Sequence, residues 1–492
     1  VSGEAQGHLS FSVARTALRG RVLIPKYYDP EIVAAEALAE TDFALPRLGD
    51  LLLPGAKGSR LGSWIRREHY GTGPIPFVRT SDLNGWRVRP DYKKGVSREV
   101  YEQVGARQDV RAGDILFVAH GTYLVGSVAV VTEEDLPLVL QDHVFRLRLR
   151  PDAEAPGAGP VDPYLALAAL STRFVRRQVR VRQFSADIID KIGERHLELR
   201  LPIPRDAERR RVASAAVREV VEGQGHARRE VSSLLGSDMR MTRERAVARH
   251  GFSVPRLMLT KRVLIPKYYD PTLRADLDAE EARLGTRWLP LGDLVDSGIV
   301  RAETGVEVGK MAYGTGAIPF LRTTDIADLE IKADPRQGVS RAIYDEHAAR
   351  AAVAAGDVLL VRDGTYLVGS SALAGADDAP ALVCGGIYRL RSQDRATLSP
   401  AKLLGLLNLP LVRRQMRAKQ FTRDVIDTLG KRLPQVRVPD PGSPFAASIG
   451  AGMEAQMLAK AALRRRLAET VRSLEPTPPA ASRGRPGWSM RG

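Results

Sequence analysis

The chain repeats itself over a length that only a duplicated domain can explain. Residues 21–30, RVLIPKYYDP, recur unchanged at residues 262–271, a shift of 241 (262 minus 21). Further matches follow in the same order. YGTGPIPFVRTSD at Tyr70–Asp82 returns as YGTGAIPFLRTTD at Tyr313–Asp325, and GVSREVY at Gly95–Tyr101 as GVSRAIY at Gly338–Tyr344. GTYLVGS at Gly121–Ser127 is identical at Gly364–Ser370, and VRRQVRVRQF at Val175–Phe184 returns as VRRQMRAKQF at Val412–Phe421. A solenoid unit has a period of roughly 20–50 residues, so this repeat is a whole domain present twice. Two copies of one scaffold with unlike interiors suit the reading of two different things.

A chain of 492 residues exceeds a single core, and 44% hydrophobic content is ordinary for a folded protein. Lys and Arg number 74 against 58 Asp and Glu, a net charge of +16. That excess points to a polyanionic partner, of which nucleic acid is the commonest, although a generally basic surface would give the same sum. Cys384 is the one cysteine, so no internal disulfide can form. No run of ~18 apolar residues exists to span a membrane, and the first twenty residues lack the apolar core of a secretory signal. A cytoplasmic location is expected.

The order reads domain, helix, domain, helix. Residues 1–20 form an extension, 21–204 the first domain, 205–240 a first spacer helix and 241–261 a linker. The second domain takes 262–441, the second spacer helix 442–475, and a Pro-, Gly- and Arg-rich tail, expected to be disordered, 476–492. Val217, Val220, Val221, Val231, Leu234 and Leu235 form one helical stripe, weakened at Gly223 and Gly225, where a bend is allowed. Ile449, Met453, Met457, Leu463, Leu467, Val471 and Leu474 form the other. The two stripes are expected to pack antiparallel on each other, the alternative being that each packs on its own domain. Some 30 residues of helix span roughly 45 Å, a plausible spacer between two reading heads.

Inside each copy, GDILFVAHGTYLVGSVAVV and GDVLLVRDGTYLVGSSALA read as short strands with tight turns. HVFRLRLR and GIYRLRS alternate apolar and basic residues, as in half-buried strands. DPYLALAALSTRFVRRQVRVRQ and PAKLLGLLNLPLVRRQMRAKQ each read as a helix ending in a basic cluster. The fold class is mixed α/β, of the α+β kind: two similar domains separated by long, paired antiparallel helices.

Several enzyme classes lack their motifs. There is no Asp-Pro-Pro or Asn-Pro-Pro to hold a flipped base, and no GxxxxGK[ST] loop for a nucleotide. Asp325, Glu330 and Lys332 imitate nuclease spacing, but the first copy has Arg87 in place of Glu330. His120, Asp142 and His143 could ligate a metal, but Asp363, Gly385 and Gly386 stand there in the second copy. No catalytic residues, metal ligands or cofactor of the chain's own are assigned.

The basic clusters carry the strongest local signal. Arg176, Arg177, Arg180 and Arg182, with Gln178 and Gln183, recur as Arg413, Arg414, Arg417 and Lys419, with Gln415 and Gln420. Arg and Lys neutralise phosphates, and Gln can bond phosphate oxygens or adenine edges. Arg79 and Arg322 follow a Pro-Phe corner and either reach DNA or pair with Asp82 and Asp325. Thr122, Tyr123, Thr365 and Tyr366 lie on the tight GTYLVGS loop, able to reach phosphate or base. Three sets of positions differ between copies. Trp64, Arg67 and His69 align with Glu307, Lys310 and Ala312; Asn84, Trp86 and Arg87 with Ala327, Leu329 and Glu330; Ala119 and His120 with Arg362 and Asp363. Unlike residues on shared loops would read unlike sequences, unless they reflect neutral drift. Arg67, Lys310 and Arg362 therefore join the candidate DNA contacts.

The motif order resembles the DNA-specificity subunit of type I restriction–modification systems. The likeness lies in LPRLGDLL at Leu45–Leu52 and WLPLGDLV at Trp288–Val295, in IPFVRTSDL and IPFLRTTDI, in GDILFV and GDVLLV, and in the closing LELRLPIP at Leu197–Pro204. The resemblance implies two target recognition domains, each reading one half of a bipartite double-stranded site, on a subunit with no catalysis or cofactor of its own. It implies as partners DNA adenine methyltransferase subunits, which bring S-adenosylmethionine, and a motor-nuclease subunit that uses ATP and Mg. The RVLIPKYYDP leader departs from the family pattern. It is either a docking segment or a strand completing each domain. Alternatives are a self-contained DNA-modifying enzyme, a similar subunit of another phage-defence complex, and an RNA-binding or scaffold protein.

Overall fold

The computed structural model describes residues 15, 18, 24–89, 95–121, 124–186, 189–236, 251–259, 263–332, 337–364, 367–423 and 426–476. Most of the N-terminal extension and of the linker, and nearly all of the tail, lie outside them. The chain divides into two compact units. The first lies within Val1–Val88, Val96–Glu219 and Arg466–Arg485, the second within Arg89–Gly95, Val220–Arg465 and Pro486–Gly492. Each unit thus holds one copy of the repeated domain with parts of both long helices.

In the first unit the repeated domain is mixed helix and strand. A four-stranded antiparallel sheet runs Ser59–Leu61, Val144–Leu147, Ile115–Val118, Val128–Val130 in spatial order. Beside it, Ile75–Val78 pairs in parallel with Val139–Leu140. The domain is closed by its own ends, because Phe43–Ala44 pairs antiparallel with Ile203–Pro204. The core is apolar as the β-rich runs predict: Leu116, Val118, Ala129, Leu138, Leu140 and Val144 are fully buried. The alternating strand departs from expectation. Arg146 is buried and donates to the Lys57 and Ala56 carbonyls at 2.8 and 2.6 Å. Arg148 grips Asp114 through Nε and Nη2 at 2.7 and 2.8 Å. These arginines serve the interior, one hydrogen-bonded to carbonyls and the other paired with a carboxylate, because a charge taken out of water needs such partners.

The second unit repeats the design. Its sheet runs Val300–Thr304, Ile387–Ser392, Val358–Val361, Ser371–Leu373, and Ile318–Leu321 pairs in parallel with Leu382–Val383. Trp288–Pro290 with Arg437–Pro439 closes the domain, and Arg391 grips Asp357 at 2.7 and 2.8 Å.

Each stretch read as one helix ending in a basic cluster is two helices. Pro163–Ser171 is followed by Arg173–Arg182, and Pro400–Asn408 by Pro410–Lys419. Thr172 caps the second helix through a bond from the Val175 N–H, and Pro410 at the first helical position does the same work by preset φ.

The long helices span Ala207–Leu235 and Pro444–Ser473. In the first unit, Arg209 donates Nε to the Ser473 carbonyl at 3.1 Å. In the second, Gly223 faces Leu463 and Gly452 faces Leu234, an antiparallel register. Gly223 therefore permits close approach within an unbroken helix, where the sequence alone allows a bend. The stripes also pack on the second domain: Ile449 and Met453 meet Gly405, and Val231, Leu235 and Met457 join the same core as Leu403, Leu404 and Leu407.

Candidate nucleic-acid interface

Strand direction collects one set of loops at one edge of each domain. In the first domain, Ile115–Val118 ends at Ala119 and His120, and its antiparallel neighbour Val144–Leu147 begins just after Asp142 and His143. Ser59–Leu61 ends at Gly62 and Ser63 on the same side, since Gly62 N–H donates to the Val144 carbonyl at 2.9 Å and Ser63 N–H to the Leu140 carbonyl at 2.9 Å. The parallel pair delivers Arg79 and Gln141 there. The hairpin formed by Phe184–Ala186 and Ile189–Lys191 joins them, because Gly121 N–H donates to the Asp190 carbonyl at 3.0 Å.

The edge is unlike in the two copies. In the first, the His120 and His143 rings meet edge-on at 5.0 Å between centroids, with Asp142 3.9 Å from His143. Burial, then His143 and Lys191, hold the His120 imidazole below the usual histidine range, with Asp142 opposing. In the second, Asp363 stands in place of His120. It takes two bonds from Arg362, at 3.0 and 2.6 Å, and one from the Thr428 hydroxyl at 2.5 Å. The Asp363 hydrogen bond raises the Arg362 guanidinium further. Among the described residues no three His, Cys, Asp or Glu side chains converge as metal ligands. Cys384 is mostly buried, which pushes its thiol up, away from the reactive thiolate.

The candidate residues differ in how far they are free to reach a ligand. Arg67 and Lys310 are exposed on short 3₁₀ turns, Arg67–His69 and Lys310–Ala312. Arg322 is exposed too, its guanidinium 5.9 Å from the Tyr313 ring. Arg79 is less available, with Nε 3.5 Å from the buried Asp82 carboxylate. Asp82 and Asp325 each accept the backbone N–H of the arginine three residues before them, which shapes both turns. Thr122, Tyr123, Thr365 and Tyr366 lie outside the described residues.

The basic helices are largely committed internally. Gln178 and Gln415 are buried, each bonded twice to a backbone strand at Arg200 and Arg437. They hold the domain's closing segment, so their role is structural and not the base or phosphate contact expected from the sequence. Gln183 is buried against Asp190. Arg182 lies inward, its Nη1 3.4 Å from the Gln178 carbonyl and its guanidinium 5.8 Å from the Tyr27 ring. Arg413 donates to the Gly369 carbonyl at 2.9 Å and to Asn408 at 3.0 Å. Lys419 sits 4.7 Å from the Tyr268 ring; burial, then Arg432, pushes its ammonium pKa down. Arg176, Arg180 and Arg417 are half-buried, with Arg180 Nη1 3.5 Å from Gln183.

The leader explains part of this. It is a 3₁₀ turn, Pro25–Tyr28 or Pro266–Tyr269, running into a helix, Pro30–Ala39 or Pro271–Leu284. Among its described residues it adds no strand, contrary to that expectation. Its aspartate lies against the basic helix in both copies: Asp29 is 3.5 Å from Arg177, and Asp270 is 3.1 Å from Arg414, which also pairs with Asp276. Tyr27 donates to Glu198, and Tyr268 to Gln435 at 2.7 Å. Two arginines lie outside the clusters that sequence reasoning singles out. Arg195 and Arg432 stack on Phe184 and Phe421 at 4.3 and 4.0 Å and donate to the last carbonyls of the basic helices at 2.8 and 2.6 Å. Cations there complement the helix C-terminus.

No family model matches the sequence, and no curated protein does. Among solved structures the chain is similar to the type I restriction-modification system S subunit from M. genitalium, 12% identical over 89% of this chain and 96% of that one, with a TM-score of 0.34. It is similar to a chain from a study of complex assembly and conformational transition of the type I R-M system, 18% identical over 88% and 94%, TM-score 0.27. It is also similar to the HsdS subunit from Thermoanaerobacter tengcongensis, 18% identical over 88% and 95%, TM-score 0.26. Likeness this loose carries no argument; the chain's own residues carry the one that follows.

Proposed function

We propose that this chain is a sequence-specific double-stranded DNA-binding subunit of a type I-like restriction–modification complex, with no catalytic step of its own. Each repeated domain reads one half of a bipartite site. The observation that carries the reading is the pair of similar domains that share a strand order and several framework bonds while their loop edges differ. The Arg148–Asp114 and Arg391–Asp357 clamps and the Gln178 and Gln415 ties recur. The edge residues His120 and Asp363 do not. A scaffold kept constant beneath unlike loops is what reading two different sequences requires. The net charge of +16 and the ordered motifs support a nucleic-acid partner.

Methyltransferase subunits using S-adenosylmethionine and a motor-nuclease using ATP and Mg would supply the chemistry, and the cytoplasm would be the site of action. The test is methylome sequencing with and without the gene, together with pull-down of the tagged chain. A split methylated motif that vanishes on deletion, and a co-purifying methyltransferase, are expected. An unchanged methylome in the deletion strain overturns the proposal.

A further inference from the structure

Of the three sets of positions that differ between the copies, the first is the one with exposed side chains among the described residues, on a backbone held at both ends. In the second set Trp86 and Leu329 are each 3% exposed, and Trp86 Nε1 donates to the Ser171 hydroxyl at 2.7 Å. In the third, Ala119 is fully buried and Arg362 is tied to its neighbour Asp363. The first set lies on Trp64–His69 and Glu307–Ala312. These loops carry Trp64 at 68% exposure with Arg66 and Arg67 exposed, and Met311 at 91% with Lys310 exposed.

Both loops are anchored alike at each end. At the start, Gly62 and Gly305 pass so close to the neighbouring strand that an added Cβ would lie 2.2 Å from the Gln141 or Val383 carbonyl oxygen. Ile65 and Val308 plug the core beneath, at 4% and 8% exposure. At the end, Tyr70 and Tyr313 pack on Phe77 and Phe320 at 5.4 and 5.7 Å. Thr72 and Thr315 donate hydroxyls to the His69 and Ala312 carbonyls at 2.8 and 2.7 Å. A fixed loop loses little entropy on binding, so its exposed side chains discriminate efficiently. Each loop offers an exposed cation and a large exposed apolar group. That combination suits a guanine edge next to a thymine methyl in the major groove.

We propose that Trp64–His69 and Glu307–Ala312 are the segments that select the bases read by each domain, with Arg67 and Trp64 the selectors in one and Lys310 and Met311 in the other. The inference rests on the DNA-reading function above and names the residues through which it acts.

The test is selection of bound sequences from a pool of random double-stranded DNA by the full chain. Three proteins are compared: the parent, a variant with WIRREH at 64–69 replaced by EVGKMA, and Arg67→Ala. The parent enriches a split motif. The loop exchange changes one half of that motif and leaves the other intact. Arg67→Ala, at an exposed position that cannot disturb the core, lowers preference in that same half by about tenfold. An unchanged motif in both variants overturns the loop assignment while leaving the DNA reader standing. A parent that enriches no motif overturns the reader itself, and the assignment with it.

Discussion

His196 Nδ1 donates to the Gly193 carbonyl across 2.6 Å in the first domain. The carbonyl can only accept, so the neutral ring carries its proton on Nδ1 and takes the Ser59 hydroxyl at Nε2, 2.9 Å away. The second domain satisfies the equivalent carbonyl, Gly430, from the Tyr388 hydroxyl instead. Three positions change together: Ser59, Phe145 and His196 become Ala302, Tyr388 and Leu433.

This exchange gives the first domain a buried histidine, and with it an acid sensitivity that this site lacks in the second domain. Burial lowers the His196 pKa, with the Gly193 bond and Glu194 opposing. The unfolded chain takes up a proton near pH ~6.5, where the folded ring stays neutral. Stability is therefore complete above that value and falls as pH drops from it toward the lowered folded pKa. Each 1 kcal/mol lost lowers Tm by about 2–4 °C in a domain of this size. Thermal melting at pH 7.5 and 5.5 checks it. The parent's first-domain transition should drop, and Ser59→Ala/Phe145→Tyr/His196→Leu should remove most of the drop.

Gly405→Ala is expected to destabilise the second unit although it sits inside a helix. Helix propensity alone favours Ala by about 1 kcal/mol. Here the new Cβ would lie 2.6 Å from Ile449 Cγ2, on a β-branched side chain with little freedom to move. Overpacking of that kind costs about 1–3 kcal/mol, so packing wins. Urea denaturation giving a higher midpoint for the variant would contradict the close helix contact.

Lys460 is fully enclosed, with Nζ 3.0 Å from both Asp328 and Glu330, and Arg228 lies 3.6 Å from Asp328. Burial disfavours its charge, but the two carboxylates outweigh burial and raise its pKa. Lys460→Met strands those carboxylates and should cost about 3–5 kcal/mol. Lys460→Met/Glu330→Leu, which leaves Asp328 to Arg228, should recover part of the loss. Denaturant midpoints of the two variants decide the matter, and equal midpoints would refute the assignment.

Asp29 and Asp270 place a carboxylate against Arg177 and Arg414. If the basic helices meet DNA, Asp29→Asn should remove a competing carboxylate from Arg177 and steepen the slope of log affinity against log salt by about one unit for each additional phosphate neutralised. Asp270→Asn should do less, because Asp276 still holds Arg414. Fluorescence anisotropy with a random duplex across a salt series measures both. Slopes that stay flat in both variants would remove these arginines from the interface.

Much of the architecture is legible in the order of residues. The apolar runs form Ile115–Val118 and Val358–Val361 because a short, β-branched run has few alternatives to a buried strand. The mixed fold follows from the change of period within each copy. The break at Thr172 escapes a reading by periodicity, although its hydroxyl before a basic run is a helix-start signal. The duplication also begins before residue 21, since FSVAR at Phe11–Arg15 returns as FSVPR at Phe252–Arg256. The surroundings of the basic clusters are not legible because a cation's partner is not written beside it. Arg177 meets Asp29 across 148 positions, and Gln178 meets Arg200 across 22.

Duplication, strand and helix content and the pool of candidate side chains belong to the order of residues, since periodicity and turn chemistry act between near neighbours. Which of those side chains face outward belongs to the folded chain alone. Arg67 and Lys310 stand free of the core while Arg182 and Arg413 are spent on carbonyls, because an arginine's environment is made by segments far from it in sequence.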